Sequence, residues 1–369
     1  MSTVRLFLAG DVMTGRGIDQ VLRRPSDPRL LEPFVGDARS YVELAEHKSG
    51  RIPRRAAPAY IWGDALAELE RERPDVRIVN LETSVTTSDA FWPGKSIHYR
   101  MHPENIDCLT VARVDCCVLA NNHVLDFGRE GLRETLQALR RAGLGIAGAG
   151  ENADRAAAPC DVDVPAKCRV RVYALGFGTS GIPFAWAAGK ASPGVNLLRF
   201  PTADAGARVG RLMRSARSPG DVVVASVHWG GNWGFAIPPG ERAFAHALID
   251  SGGADVVHGH SSHHPKAIEI YRGKPILYGC GDLITDYEGI GGHETYRPDL
   301  SPMYFVDIDS DGGRLVDLTI VTLRLERFSL RPAAPTDVAW LVYRLNRDGR
   351  VLGSRAEEAP GGRIIVRPA

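Results

Sequence analysis

Five short, mostly apolar runs in this chain each end on a polar cluster, and that pairing constrains the fold more than any other feature. Val4 to Ala9 leads into Gly10-Asp11, and Val76 to Val79 leads into Asn80-Leu81-Glu82. Cys116 to Ala120 leads into Asn121-Asn122-His123, Val222 to Val227 into His228-Trp229-Gly230, and Ala254 to Val257 into His258-Gly259-His260. Apolar runs this short read as strands buried inside an α/β sheet. In such sheets ligands bind beyond the carboxyl ends of the strands. The five ends therefore deliver Asp, Glu, Asn and His to one region, which reads as a catalytic site.

Between these runs the pattern alternates. Helical spacing is expected near residues 60 to 73, 129 to 142, 204 to 216 and 239 to 251, with a further strand at 169 to 177. Hairpins are expected at 266 to 278 and 303 to 323, and a last helix at 336 to 346 behind Thr336 as its cap. Residues 25 to 58, 88 to 104 and 178 to 200 read as irregular loops. The organisation that follows is one layered α/β domain over residues 1–325, with 326–369 as a C-terminal helical extension packed on it.

Composition excludes several classes of partner. The 45 basic and 44 acidic residues among 369 leave a net charge of +1, which argues against nucleic acid. No apolar stretch approaches the ~20 residues of a membrane span. The apolar segment before Asp11 is too short for a signal peptide. None of the six cysteines forms a C-x-x-C pair, as expected of reduced thiols. A cytoplasmic, membrane-free protein is the expectation, with its oligomeric state open.

The strand-end residues suit two kinds of chemistry. Carboxylate, amide and imidazole groups suit a divalent ion such as Mn, Fe or Zn, and the same groups suit metal-free proton transfer. Asp11 stands out, as a carboxylate between a buried strand and the glycine-rich turn Thr14-Gly15-Arg16-Gly17. The segment from His258 to His264 holds four of the eleven histidines. Asp126 either orients His123 or caps the helix behind it, and Asp282 follows a strand end. Arg16 and Arg100, with Trp92, Trp233, Tyr287 and His293, fall in loops expected on the rim, where arginine can grip a substrate carboxylate or phosphate.

Taken together, these motifs resemble the CapA family of capsule and poly-γ-glutamate biosynthesis proteins. The resemblance rests on Gly10-Asp11-Val12-Met13 with Arg16, Asn80-Leu81-Glu82, Asn121-Asn122-His123 with Asp126 and Gly128, His228-Trp229-Gly230, and the His258 to Pro265 segment. It implies the four-layer α/β/β/α sandwich of the calcineurin-like metallophosphatase type. Three positions depart from the metallophosphatase pattern. Met13 stands where Asp-x-His has its histidine, Glu82 replaces an aspartate, and Gly259-His260-Ser261-Ser262 lacks the second histidine of Gly-His-x-His. The resemblance thus implies a depleted ligand set, in which Asp11, Glu82, Asn122 and His228, with His258 or His260, suffice to hold one metal ion. His123 matches the histidine that assists the leaving group.

With that depletion and no anchor, the chain is similar to the cytoplasmic epimerases of lasso-peptide biosynthesis. This gives the functional expectation: an isomerase that inverts a Cα centre of a ribosomal precursor peptide, with no metal required. Proton exchange falls to Asp11 with His123, His228 or His260, and substrate binding to Arg16, Arg100, Trp92, Trp233 and His293. The alternatives are a metal-dependent phosphoesterase and a CapA-type protein of poly-γ-glutamate or capsule synthesis.

Overall fold

The computed structural model describes residues 2–369, and its layers follow from strand pleating. On the first strand, Thr3–Val12, Val4, Leu6 and Leu8 face one way and Phe7 and Ala9 the other. On Val222–His228, Val222 and Val224 oppose Val223, Ala225 and Val227. Successive side chains point to opposite faces of a strand, so each strand serves two cores.

Three hydrophobic clusters result. The middle one joins Leu6, Leu8 and Ile78 of one sheet to Val172, Val224 and Val256 of the other. An outer cluster packs the first sheet on the helices Ala65–Glu72 and Gly128–Arg141. The other packs the second sheet on Ala203–Ser215 and Pro239–Asp250. The order is helix, sheet, sheet, helix, the four-layer sandwich that the motifs implied.

The ten-stranded first sheet places Thr3–Val12 at its centre, parallel to Val76–Leu81 on one side and antiparallel to Leu300–Asp309 on the other. Cys116–Val118 follows Val76–Leu81 in parallel. The seven-stranded second sheet runs Cys168–Phe177, Val222–His228, Val256–His260 and Lys274–Leu277 in parallel. The carboxyl ends of both parallel sets open toward one region, which collects the polar clusters.

Two expectations need correction. Residues 326–369 are not a helical extension packed on a finished domain. They carry the helix Pro335–Gly349, but Arg363–Pro368 hydrogen-bonds along Leu315–Glu326 and Ser354–Ala359 adds the next strand, so the segment completes the first sheet. The supposed loop at 25 to 58 contains the helix Arg39–Ser49, whose apolar positions Val42 and Ala45 are too few to give a clear periodic signal. Among the described residues no helix is long and apolar enough to cross a membrane.

Candidate functional site: two ligand groups that share Asp11

The site is centred on a close approach of two backbones. A Cβ on Gly10 would lie 1.7 Å from the carbonyl oxygen of Gly281, so only glycine lets these segments meet. Asp11 N donates to that same oxygen at 3.0 Å. The short strand Asp282–Ile284 then runs parallel to the end of the first strand, with Asp11 opposite Asp282. Two buried carboxylates are thus held side by side.

Asn80 Nδ2 donates to Asp11 Oδ1 at 2.7 Å, and Asn121 Nδ2 donates to Asn80 Oδ1 at 3.0 Å. This chain of amides fixes the Asp11 carboxylate and leaves its Oδ2 buried with no hydrogen-bond partner. Asp282 Oδ2 is buried and unpartnered too, while its Oδ1 lies 2.9 Å from His263 Nδ1. Buried carboxylate oxygens are normally satisfied, so two adjacent exceptions call for a cation.

The imidazoles point the same way. His258 Nε2 lies 2.8 Å from the Ala9 carbonyl oxygen, which can only accept, so that nitrogen carries the proton. His258 Nδ1 must then accept from Ser226 Oγ at 3.1 Å, and Ser226 Oγ in turn accepts from His260 Nε2 at 2.8 Å. His260 Nδ1 is left as a bare lone pair. His228 Nε2 donates to Asn122 Oδ1 at 3.0 Å, which leaves His228 Nδ1 unprotonated, with the Asn80 amide nitrogen 3.5 Å away. The Nδ1 atoms of His228 and His260 face each other 2.8 Å apart. Burial holds His228 and His260 well below the usual histidine range.

Two groups of metal-ligating atoms result, each within 4.8 Å internally: Asp11 with His228 and His260, and Asp11 with His263 and Asp282. Carboxylate oxygens and imidazole nitrogens in such numbers suit Mn, Fe or Zn. Unpartnered carboxylate oxygens and converging lone pairs fit a divalent ion better than an apolar or proton-sharing site. The expected ligand set omitted two residues of these groups, His263 and Asp282. Where Met13 supplies nothing, His263 and Asp282 stand beside Asp11.

Burial, then the Asp282 charge, pushes Asp11 up to about 7. Burial, then Asp11, pushes Glu82 well above the carboxylate range. Burial alone would lower His263, but the Asp282 carboxylate outweighs it and holds the imidazolium above its usual range. Repulsion among these carboxylates is what a bound cation relieves.

On the facing wall, His123 Nδ1 lies 2.7 Å from Asp126 Oδ2 and its Nε2 lies 3.8 Å from Glu82 Oε1. Lys95 Nζ reaches Asp126 Oδ1 at 2.6 Å. Burial, then the Lys95 charge, pushes His123 down to about 4. Asp126 orients the ring and leaves Nε2 facing the centre. Nothing in the sequence marks Lys95, because it comes from an irregular segment without periodicity.

Other candidate residues fall in different places. His258 belongs to neither ligand group, since both its ring nitrogens are used, and it sets the tautomer of His260 instead. Asn122 holds His228 Nε2, and Glu82 flanks Asp11 outside both groups. Arg16 is not free to grip substrate: its side chain is 3% exposed and binds both oxygens of Asp286, plus Glu32 and Tyr41. Arg100 is likewise committed, to Asp89 and the carbonyls of Ser88 and Asp27. Trp92 packs edge-on against Trp186. Trp233 and His293 stack at 3.8 Å and, with His263 and Tyr287, line a cavity of about 190 Å³ that reaches the site.

The sequence profile of the bacterial capsule synthesis protein family PGA_cap matches residues 5–287 of this chain. The chain belongs to that family. A probable polyglutamine synthesis accessory protein of Mycobacterium tuberculosis is 47% identical over 367 residues, 99% of this chain and 96% of its own length. The capsule biosynthesis protein CapA of Bacillus anthracis is 30% identical, covering 76% of this chain and 59% of that protein. A phosphatase from Mycoplasma pneumoniae superposes with a TM-score of 0.49 at 14% identity, over 88% of this chain and 94% of that one. Within this PGA_cap member, His263 and Asp282 were the least legible of the residues in the two ligand groups. The only signals were the density of histidines after the Val256–His260 strand and an acid after Gly281.

Proposed function

We propose that this PGA_cap protein is an accessory enzyme of glutamate-type polymer synthesis that hydrolyses an anionic, peptide-like or phosphorylated substrate at a divalent-metal site. The observation that carries the reading is the sharing of Asp11, with its unpartnered Oδ2, between two ligand groups. The polymer class comes from its relatives, which are described as accessory to polyglutamine synthesis and as capsule biosynthesis proteins.

Asp11, His228 and His260 would hold one ion, and Asp11, His263 and Asp282 a second. Such ions supply Lewis-acid charge that activates water and stabilises a developing oxyanion. The chain's own residues do the rest. Asn80 and Asn121 hold the Asp11 carboxylate, the His258–Ser226 relay keeps His260 Nδ1 available, and Asn122 does the same for His228. His123, oriented by Asp126, presents Nε2 where a leaving group can take a proton. The Trp233–His293 stack offers the substrate an apolar wall.

The test is metal content by elemental analysis, paired with turnover of an aryl phosphate before and after chelation. One to two equivalents of Mn, Fe or Zn are expected, with activity lost on chelation and on Asp11→Asn and restored to the parent chain by added metal. Metal-free protein with chelator-resistant turnover would sink the reading.

The peptide-epimerase reading stands second. Its supporting observation is that Asp11, pushed up to about 7, is suited to exchange a proton near neutrality. It also assumes a ligand set short of partners, whereas His263 and Asp282 supply them. Deuterium from solvent appearing at a peptide Cα in the presence of chelator is the outcome that would promote it.

A further inference from the structure

The helix Pro335–Gly349 buries Val338, Leu341 and Leu345 against the domain. Its opposite stripe is unusual for a surface helix. Trp340, Tyr343, Arg344 and Arg347 follow the i, i+3, i+4, i+7 spacing of one helical face. Together with Phe235 and Tyr296 they line a groove of about 700 Å³. The Arg344 guanidinium stacks on Phe235 at 3.5 Å and pairs with Asp348. Arg347 is exposed and has no carboxylate partner among the described residues. Tyr343 is 62% exposed, a large aromatic that the fold does not use.

Ring packing links this groove to the cavity beside the ligand groups. Tyr296, on its floor, packs 5.4 Å from Trp233, and Trp233 stacks on His293 in the cavity at His263. Between them His264 packs against Trp233, Phe235 and Tyr296, and its buried Nε2 has no partner. Rings in contact thus run from Phe235 and Tyr296 in the groove through Trp233 to His263, which pairs with Asp282. Aromatic faces give broad, sequence-tolerant contact to a chain sliding along them, and an uncommitted guanidinium selects for carboxylates.

We propose that this groove is a docking track for an extended acidic peptide chain, held by Arg347 and the Trp340–Tyr343 face and led past Trp233 to the ligand groups. The class of occupant rests on the proposed function; charge complementarity with Arg347 and continuity with the site support it.

Binding is read by calorimetry on the full, metal-free chain, so the result does not depend on turnover. The probe is a synthetic γ-linked glutamate decamer, with a glutamine decamer as the neutral control. The glutamate decamer is expected to bind saturably, at least about tenfold tighter than the neutral one and more weakly as salt is raised. Arg347→Glu and Tyr343→Ala, both at exposed positions, are each expected to weaken it at least about fivefold, and Arg347→Lys to retain part of the binding. If the parent chain binds the decamer in this way but holds no metal and shows no turnover, the hydrolase reading falls and the track stands. No saturable binding, equal binding of the neutral decamer, or Arg347→Glu and Tyr343→Ala binding like the parent chain would each overturn the track.

Discussion

Asp11 and Asp282 stand opposite each other on parallel strands that lie far apart in the chain, and Gly10 is the residue that lets them meet. Its missing side chain leaves room for the Gly281 carbonyl, from which the register of the second carboxylate follows. Gly10→Ala is expected to cost about 3 kcal/mol, as other overpacked core sites do. It should also lower metal stoichiometry, because Asp282 would move off Asp11. A normal denaturation midpoint with full metal content would show that the close approach is dispensable.

Ser226 offers a cleaner probe of the imidazole relay, since it contacts His258 and His260 without belonging to either ligand group. Ser226→Ala leaves His258 Nδ1 without a donor and frees His260 to adopt the other tautomer. Loss of such an outer partner typically weakens metal binding about 10- to 100-fold. Competition with a metal-sensing dye would measure this, and unchanged affinity would refute the tautomer assignment.

Arg16 should behave as a structural residue. Removing it by Arg16→Ala strands the buried Asp286 and Glu32 carboxylates, a loss of about 3–5 kcal/mol for a broken buried pair. Urea denaturation is the measurement. A mild loss of stability combined with a large rise in KM would restore Arg16 to the substrate-gripping role that its position in the sequence invites.

Acid should destabilise the chelated protein through its buried histidines. Burial pushes His258 and His264 down to about 4, whereas the unfolded chain takes up their protons near pH 6.5. Their contribution is complete above about pH 6.5 and is lost as pH falls toward 4. Asp11, pushed up to about 7, has the opposite sign: its cost to folding grows as pH rises from about 4 to 7. Asp11→Asn removes only that opposing contribution. Its melting temperature, measured with chelator, should therefore fall more steeply from pH 6.5 to 4.5 than that of the parent chain. Parallel slopes would mean that Asp11 is ionised throughout in the metal-free fold.

What the sequence determined by itself was local, and only where burial left a clear period. Alternation and apolar runs placed the strands and the helices Gly128–Arg141, Ala203–Ser215 and Pro239–Asp250, because burial imprints its period on neighbouring residues. The strand-end positions of Asp11, Glu82, His123, His228 and His260 were legible for the same reason. Pairings between distant segments were decided only by the tertiary structure. Asp282 meets Asp11 across some 270 residues through a backbone contact that leaves no periodic trace. Lys95 reaches Asp126 from a loop, and Arg16 is taken by Asp286 before any substrate arrives. His258 and His260 share one strand face, yet Ala9 and Ser226 turn the first into a support for the second. A side chain's chemistry is set by what it touches, and for these residues every decisive contact is non-local.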